Sequence, residues 1–80
     1  MIKSYPNPAT TFVNFDFQYG YDKSYSLQIF NFMGKKVVEI RSLSVHTNLP
    51  LTNFYRGIYF YKLCDKSNRI IESGRFQVIK

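Results

Sequence analysis

The chain has no tryptophan, a single cysteine (Cys64) and a single histidine (His46). One cysteine excludes an internal disulfide, and one cysteine with one histidine cannot supply the ligand set of a usual zinc site. No glycine-rich phosphate loop, nucleophile elbow or calcium loop occurs. The acids Asp16, Asp22, Glu39, Asp65 and Glu72 fall in turns or on the polar alternation of strands, so no two are marked as an acid and base pair. His46 reads as a solvent-facing strand residue. These absences predict no enzyme, no metal and no cofactor. No stretch approaches the roughly 20 apolar residues of a membrane span, so no membrane insertion is expected. The opening Met1-Ile2-Lys3-Ser4-Tyr5-Pro6 lacks the apolar core of a signal peptide. The protein is therefore expected either to stay inside the cell or to be a piece of a longer exported chain.

What the chain has is rings and positive charge. Eight Phe and seven Tyr in 80 residues make a folded chain with a ring-heavy core. At this length folding buries about 60 to 65% of the unfolded surface, enough for one domain with a two-layer core and not for a deep enzyme pocket. The net charge is +6. Only Lys35 and Lys36 are adjacent among the cations, so the charge reads as solubility and edge protection. Aromatics beside cations, as in Tyr59-Phe60-Tyr61-Lys62 and Arg75-Phe76, could suggest base stacking on a sheet. The rings nevertheless fall where strand alternation needs core residues, and no nucleic-acid partner is expected.

The chain is organised around residues 51 to 63. Tyr59, Tyr61 and Leu63 alternate with Ile58, Phe60 and Lys62, a period of two that marks a strand. Ahead of it, Asn53 and Gly57 tolerate turn dihedrals and Phe54 is an apolar plug for a corner. Tyr59 is placed either to bond its hydroxyl back to the chain, as at the corners of β-sandwiches, or simply to fill the core. Upstream, Tyr5-Pro6-Asn7-Pro8 predicts an edge strand or rigid loop, since two backbone donors are missing. A half-buried strand is expected over 11–18 with Val13, Phe15 and Phe17 inward, then a loop over 19–24. The next strand, over 25–32, has Tyr25, Leu27 and Ile29 on one face. A hairpin turn follows over Asn31–Lys35, with Gly34 at the left-handed position. The strand over 36–41 has no decided inward face, and 43–51 reads as an irregular edge strand. After a polar turn at Asp65–Arg69, the last strand runs over 70–79 with Phe76 and Val78 on one face and a bulge expected at Gly74. Short strands, frequent turns and no helical period predict an all-β antiparallel sandwich of about seven short strands.

Four features, in order, resemble a known family. They are Tyr5-Pro6-Asn7-Pro8-Ala9, then Asn31-Phe32-Met33-Gly34-Lys35-Lys36-Val37, then Leu51 through Gly57-Ile58-Tyr59, then a final strand ending in Lys80. The set is similar to the C-terminal sorting domain carried by cargo of the type IX, or Por, secretion system, and it spans essentially the whole chain. Pro6, Asn7, Pro8, Gly34, Gly57 and Tyr59 carry the match. Asn31 stands where the family often has Asp, and Phe54 where it usually has Leu. The resemblance implies an immunoglobulin-like sandwich covering 1–80 and excised from a larger secreted protein. It also implies a non-enzymatic signal that directs a passenger across the outer membrane of a Bacteroidetes-type cell. The passenger would pass through the periplasm to the cell surface or medium, with translocon and sortase components as partners.

Recognition of such a domain needs a rigid exposed feature, and the last strand is the expected one. Gly74, Arg75, Gln77, Ile79 and Lys80 are the candidates, with an edge backbone able to pair with a partner strand or with a second copy in a homodimer. The rival expectation is a carbohydrate-binding or adhesive module presenting Tyr21, Tyr55 and Phe60 as an aromatic platform.

Overall fold

The computed structural model describes residues 2–18, 22 and 24–80; the expected loop over 19–24 and the ring of Tyr21 lie largely outside the described residues. Among the described residues there are seven strands: β1 (Ile2–Tyr5), β2 (Phe12–Phe17), β3 (Ser26–Asn31), β4 (Lys36–Ile40), β5 (His46–Pro50), β6 (Gly57–Cys64) and β7 (Ile70–Val78). They form a three-stranded sheet, β1-β2-β5, and a four-stranded sheet, β4-β3-β6-β7, with every neighbouring pair antiparallel.

Alternation decides which side chains meet between the sheets. Val13, Phe15 and Phe17 of β2 face Leu27 and Ile29 of β3, Tyr59, Tyr61 and Leu63 of β6, and Phe76 and Val78 of β7, all buried. Phe15 points its ring between two rings of the other sheet, 5.4 Å from Tyr61 and 5.8 Å from Phe76, both near edge-to-face. Tyr59 stacks on Phe76 at 5.7 Å. Ring pairs of this geometry add about 0.5–1.5 kcal/mol each beyond the area they bury.

Four points correct or complete the sequence expectations. A first strand lies ahead of the prolines, and of the two forms expected for the proline segment residues 6–8 take the loop, as an exposed connection. β5 is a regular strand over His46–Pro50 paired with β2, with Thr47 and Leu49 inward. In β4 the inward residues are Val38 and Ile40. The pairing steps from Ile29↔Val38 to Phe30↔Lys36, so Val37 is an extra residue turned outward, which is why alternation alone could not choose a face. The bulge of β7 lies at Ile71, where the register passes from Leu63↔Glu72 to Cys64↔Ile70, while Gly74 pairs regularly with Tyr61. Gly74 is there for room: a Cβ would run into the Tyr61 ring and hydroxyl, which lie over it.

The two hairpin turns of the larger sheet follow one hydrogen-bonding plan at opposite ends. In the first, the Asn31 carboxamide oxygen accepts from the N–H groups of Met33 and Lys35, and the Gly34 N–H donates to the Asn31 carbonyl. In the second, the Asp65 carboxylate accepts from Ser67 and Arg69, and the Asn68 N–H donates to the Asp65 carbonyl. Gly34 (φ 84°) and Asn68 (φ 65°) take the left-handed position in each, which glycine and asparagine tolerate best.

The registers also define two ends of the sandwich. The corner end carries Phe12, Pro50, Asn31, Gly57 and Val78, and the far end carries Ile2, Phe17, Ile40, Cys64 and Ile70.

Candidate functional site

The corner over 51–57 is built from within. The Phe54 N–H donates to the Leu51 carbonyl, Leu51 and Phe54 are buried, and the Phe54 ring sits 4.9 Å from that of Tyr59. The Tyr59 hydroxyl donates to the Tyr55 carbonyl at 2.9 Å and accepts from the Tyr55 N–H at 3.0 Å. Tyr59 therefore meets both expectations, as a core ring and as the hydrogen-bonded pin of the corner. Gly57 opens β6 at φ 148°, which a side chain would oppose.

Lys80 closes the same corner. Its ammonium donates to the carbonyls of Leu51 at 2.7 Å, Phe54 at 3.0 Å and Thr52 at 3.3 Å, so its charge adds a second donor to the Leu51 carbonyl and supplies one to those of Thr52 and Phe54. Its head group is thus turned back on the chain rather than outward.

The proline-flanked opening binds the outer edge of β7. Ala9 donates to the Gln77 carbonyl at 2.8 Å, Ile79 donates to the Ala9 carbonyl at 2.9 Å, and the Asn7 carboxamide accepts from the Gln77 N–H at 3.1 Å. Pro6 and Pro8 have no N–H, so Asn7 and Ala9 carry all of these bonds. β7 is an edge strand, as the recognition reading required, but its edge at Gln77 and Ile79 is already paired. By alternation, the N–H and C=O groups left facing outward are those of Ser73 and Arg75. Of the five expected residues, Arg75, Gln77 and Ile79 are exposed, Gly74 lies in the sheet under Tyr61, and Lys80 is bonded to the corner.

The outer face of the larger sheet carries a cross-strand row, Lys36, Phe30, Phe60 and Arg75, with the Lys62 ammonium 4.6 Å from the centre of the Phe30 ring. Tyr55 stands elsewhere, at the corner, so Tyr55 and Phe60 do not form one platform. Tyr55 borders a groove of about 510 Å³ between the edge strands β4 and β5, lined also by Lys35, Val37, Leu49, Pro50 and Phe54. Asn31 and Lys35, the two ends of the first hairpin turn, also line it, and the tip of that turn, Phe32-Met33, is largely solvent-exposed, which the sequence reading passed over; apolar residues at a hairpin tip were the available signal.

The titratable groups elsewhere make a surface network. Asp16 accepts from Tyr5 at 2.9 Å and pairs with His46 Nδ1 at 2.9 Å, and its pKa is lowered chiefly by the bond to His46. The Tyr5 phenol is pushed up by the same carboxylate, the reverse of an activated nucleophile. Burial raises the Cys64 thiol, so it is held protonated. Among the described residues no three His, Cys, Asp or Glu groups gather as a metal site.

The fold is similar to that of a solved structure. It is PorZ, described as an essential bacterial surface component of the type IX secretion system of Porphyromonas gingivalis, with a TM-score of 0.79 and 19% identity. The match covers 99% of this chain and 11% of PorZ. No curated protein matches the chain. The model of the secretion system C-terminal sorting domain matches residues 3–75, which include the opening motif, both hairpin turns and the tyrosine-pinned corner, and the chain belongs to that family of type IX secretion signals.

Proposed function

We propose that this sorting domain is read as a folded unit in the periplasm by the outer-membrane translocon, and is then removed by the system's sortase once its passenger reaches the cell surface or medium. Membership of a family of sorting signals, not of enzymes, supports a non-catalytic label. The observation that carries the reading is that β7 ties the domain together. It pairs with β6 along one edge, with the opening motif along the other, and runs on to Lys80 at the corner. The exposed side chains of Arg75, Gln77 and Ile79 are thereby held on a rigid support, with Gly74 and Lys80 fixing their setting. A strand-edge homodimer would use an open edge of β1, β4 or β5 or the short stretch at Ser73 and Arg75, and sedimentation checks it.

Deleting residues 74–80 cannot test recognition, because it removes the buried Phe76 and Val78 and unfolds the label. The test uses point variants. A fluorescent passenger behind a signal peptide is fused to the domain in a host with a working type IX system. Arg75→Glu with Ile79→Ser is expected to trap the passenger in the periplasm while the domain stays folded. A folded double variant delivered to the surface at the wild-type level would remove β7 as the recognised strip.

A further inference from the structure

We infer that the corner end of the sandwich docks an acidic segment of a protein partner, with an apolar side chain of that segment seated in the groove between β4 and β5. The inference rests on reading the domain as a sorting label, and it names a surface and a chemistry beyond the β7 strip.

The first observation is the contrast between the two turns. They share one backbone plan, so that plan does not dictate what stands at the tip. At the far end the tip is Lys66-Ser67; at the corner end it is Phe32-Met33, exposed at 73% and 76%, and Tyr55 of the corner is exposed at 84%. The two ends of the Phe32-Met33 turn, Asn31 and Lys35, line with Tyr55 the groove that also holds Val37, Leu49 and Pro50, and apolar groups left exposed on such a rim mark a place where another surface is to be covered.

The second observation is the charge. Lys35, Arg56, Arg75 and Lys80 lie in the corner half with no acidic side chain there among the described residues, while Lys36, in that half by register, reaches back to Glu39. Asp16, Asp22, Glu39, Asp65 and Glu72 all lie toward the far end, where Lys3, Arg41, Lys62, Lys66 and Arg69 balance them. Among the described residues the uncompensated positive charge is thus concentrated at one end. Lys80 is engaged by carbonyls and Lys36 by Glu39 at 2.7 Å, whereas Lys35 and Arg56 make no ion pair among the described residues. Such an end attracts carboxylates and orients the approach of an acidic partner.

The third observation is the shape and setting of the groove. β4 pairs only with β3 and β5 only with β2, so two strand edges flank it, with backbone groups that a polypeptide can bond and a lipid or polynucleotide cannot match. Ile2 lies at the far end, where its N–H donates to Glu72 at 3.0 Å.

The test compares matched variants of the two ends in the passenger fusion. Phe32→Ser with Met33→Ser, and separately Lys35→Glu with Arg56→Glu, are each expected to lower surface delivery about tenfold, the scale of roughly 1.4 kcal/mol lost at an interface, with unchanged melting temperature. Lys66→Glu and Ile70→Ser at the far end are expected to leave delivery unchanged. Tyr55→Ser supplies a second apolar variant should the turn variant lose stability. In parallel, the labelled domain is titrated by NMR with an extended Glu-Leu-Glu-Val-Glu peptide, a sulfated oligosaccharide and phosphatidylglycerol vesicles. Shifts at Val37, Leu49 and Tyr55 with the peptide, lost in Lys35→Glu with Arg56→Glu, support the inference. The same shifts with saccharide or vesicle and not with peptide overturn it. Wild-type delivery by folded corner-end variants overturns it and leaves the sorting function standing; a wild-type domain that delivers nothing sinks both.

Discussion

The turns over 31–35 and 65–69 are nearly the same object made twice. In each an Asx side chain bonds two N–H groups, a left-handed residue follows, and a cation leads out. They differ in what they show the solvent, two apolar side chains in one and Lys66-Ser67 in the other. They differ also in what surrounds them, a pinned corner with a groove in one and a balanced field of charges in the other. A side chain that the local backbone plan does not require, exposed on one copy and absent from the other, is better explained by a partner than by the fold.

The comparison is broken most severely at the corner. Tyr59→Phe leaves the partly buried Tyr55 N–H and C=O without their partner, and should cost about 1–3 kcal/mol in chemical denaturation. Among the described residues the far turn has a single such tie, the buried Gln28 carboxamide donating to the Asn68 side chain at 3.1 Å. Lys80→Met comes next, at about 1 kcal/mol, because three corner carbonyls lose a cationic donor but retain access to water. A loss of stability there, with delivery falling in proportion, fits a structural lysine; lost delivery at full stability would make it a recognised one.

Smaller effects sharpen the likeness of the turns. Asn31→Ala should cost about 1 kcal/mol at every pH, since the carboxamide does not titrate. Asp65→Ala should destabilise only where Asp65 is charged. Its pKa is lowered, first by the Arg69 N–H and further by the Arg69 side chain and the Ser67 N–H. A lowered folded pKa means the stabilisation is present above the unfolded value, about 3.9, and is lost as pH falls through the folded value. Melting curves of the two variants against wild type should therefore converge in acid for Asp65→Ala and stay parallel for Asn31→Ala. The smallest effect on stability, within about 0.5 kcal/mol, is expected on exchanging the tips, Phe32→Lys with Met33→Ser against Lys66→Phe with Ser67→Met. Delivery should fail in the first and persist in the second.

The sequence made legible whatever is local and periodic. Strands β2, β3 and β6 could be read because their inward residues repeat every two positions, and the turn at Asn31–Lys35 because its residue types have one common use. The face of β4 was hidden by Val37, since one inserted residue reverses every later side chain. Gly74 looked like a bulge because its reason, the Tyr61 ring, stands on another strand. The contacts of Lys80 with residues 51–54, and of Asn7 with Gln77, span 26 to 70 positions, and no short-range pattern announces them. Of the expected recognition residues, Arg75, Gln77 and Ile79 were placed correctly outward by alternation, while Gly74 and Lys80 took supporting places for these long-range reasons.

The order of synthesis gives the pairing of the opening motif with β7 a further meaning. Within the domain Ala9 is made well before Ile79, yet each completes the other's hydrogen bonds. Until the last strand is made, the four-stranded sheet lacks its edge and the core lacks Phe76 and Val78. A chain that stops short carries no finished label, and on the proposed reading recognition of the folded domain also proofreads its cargo for completeness.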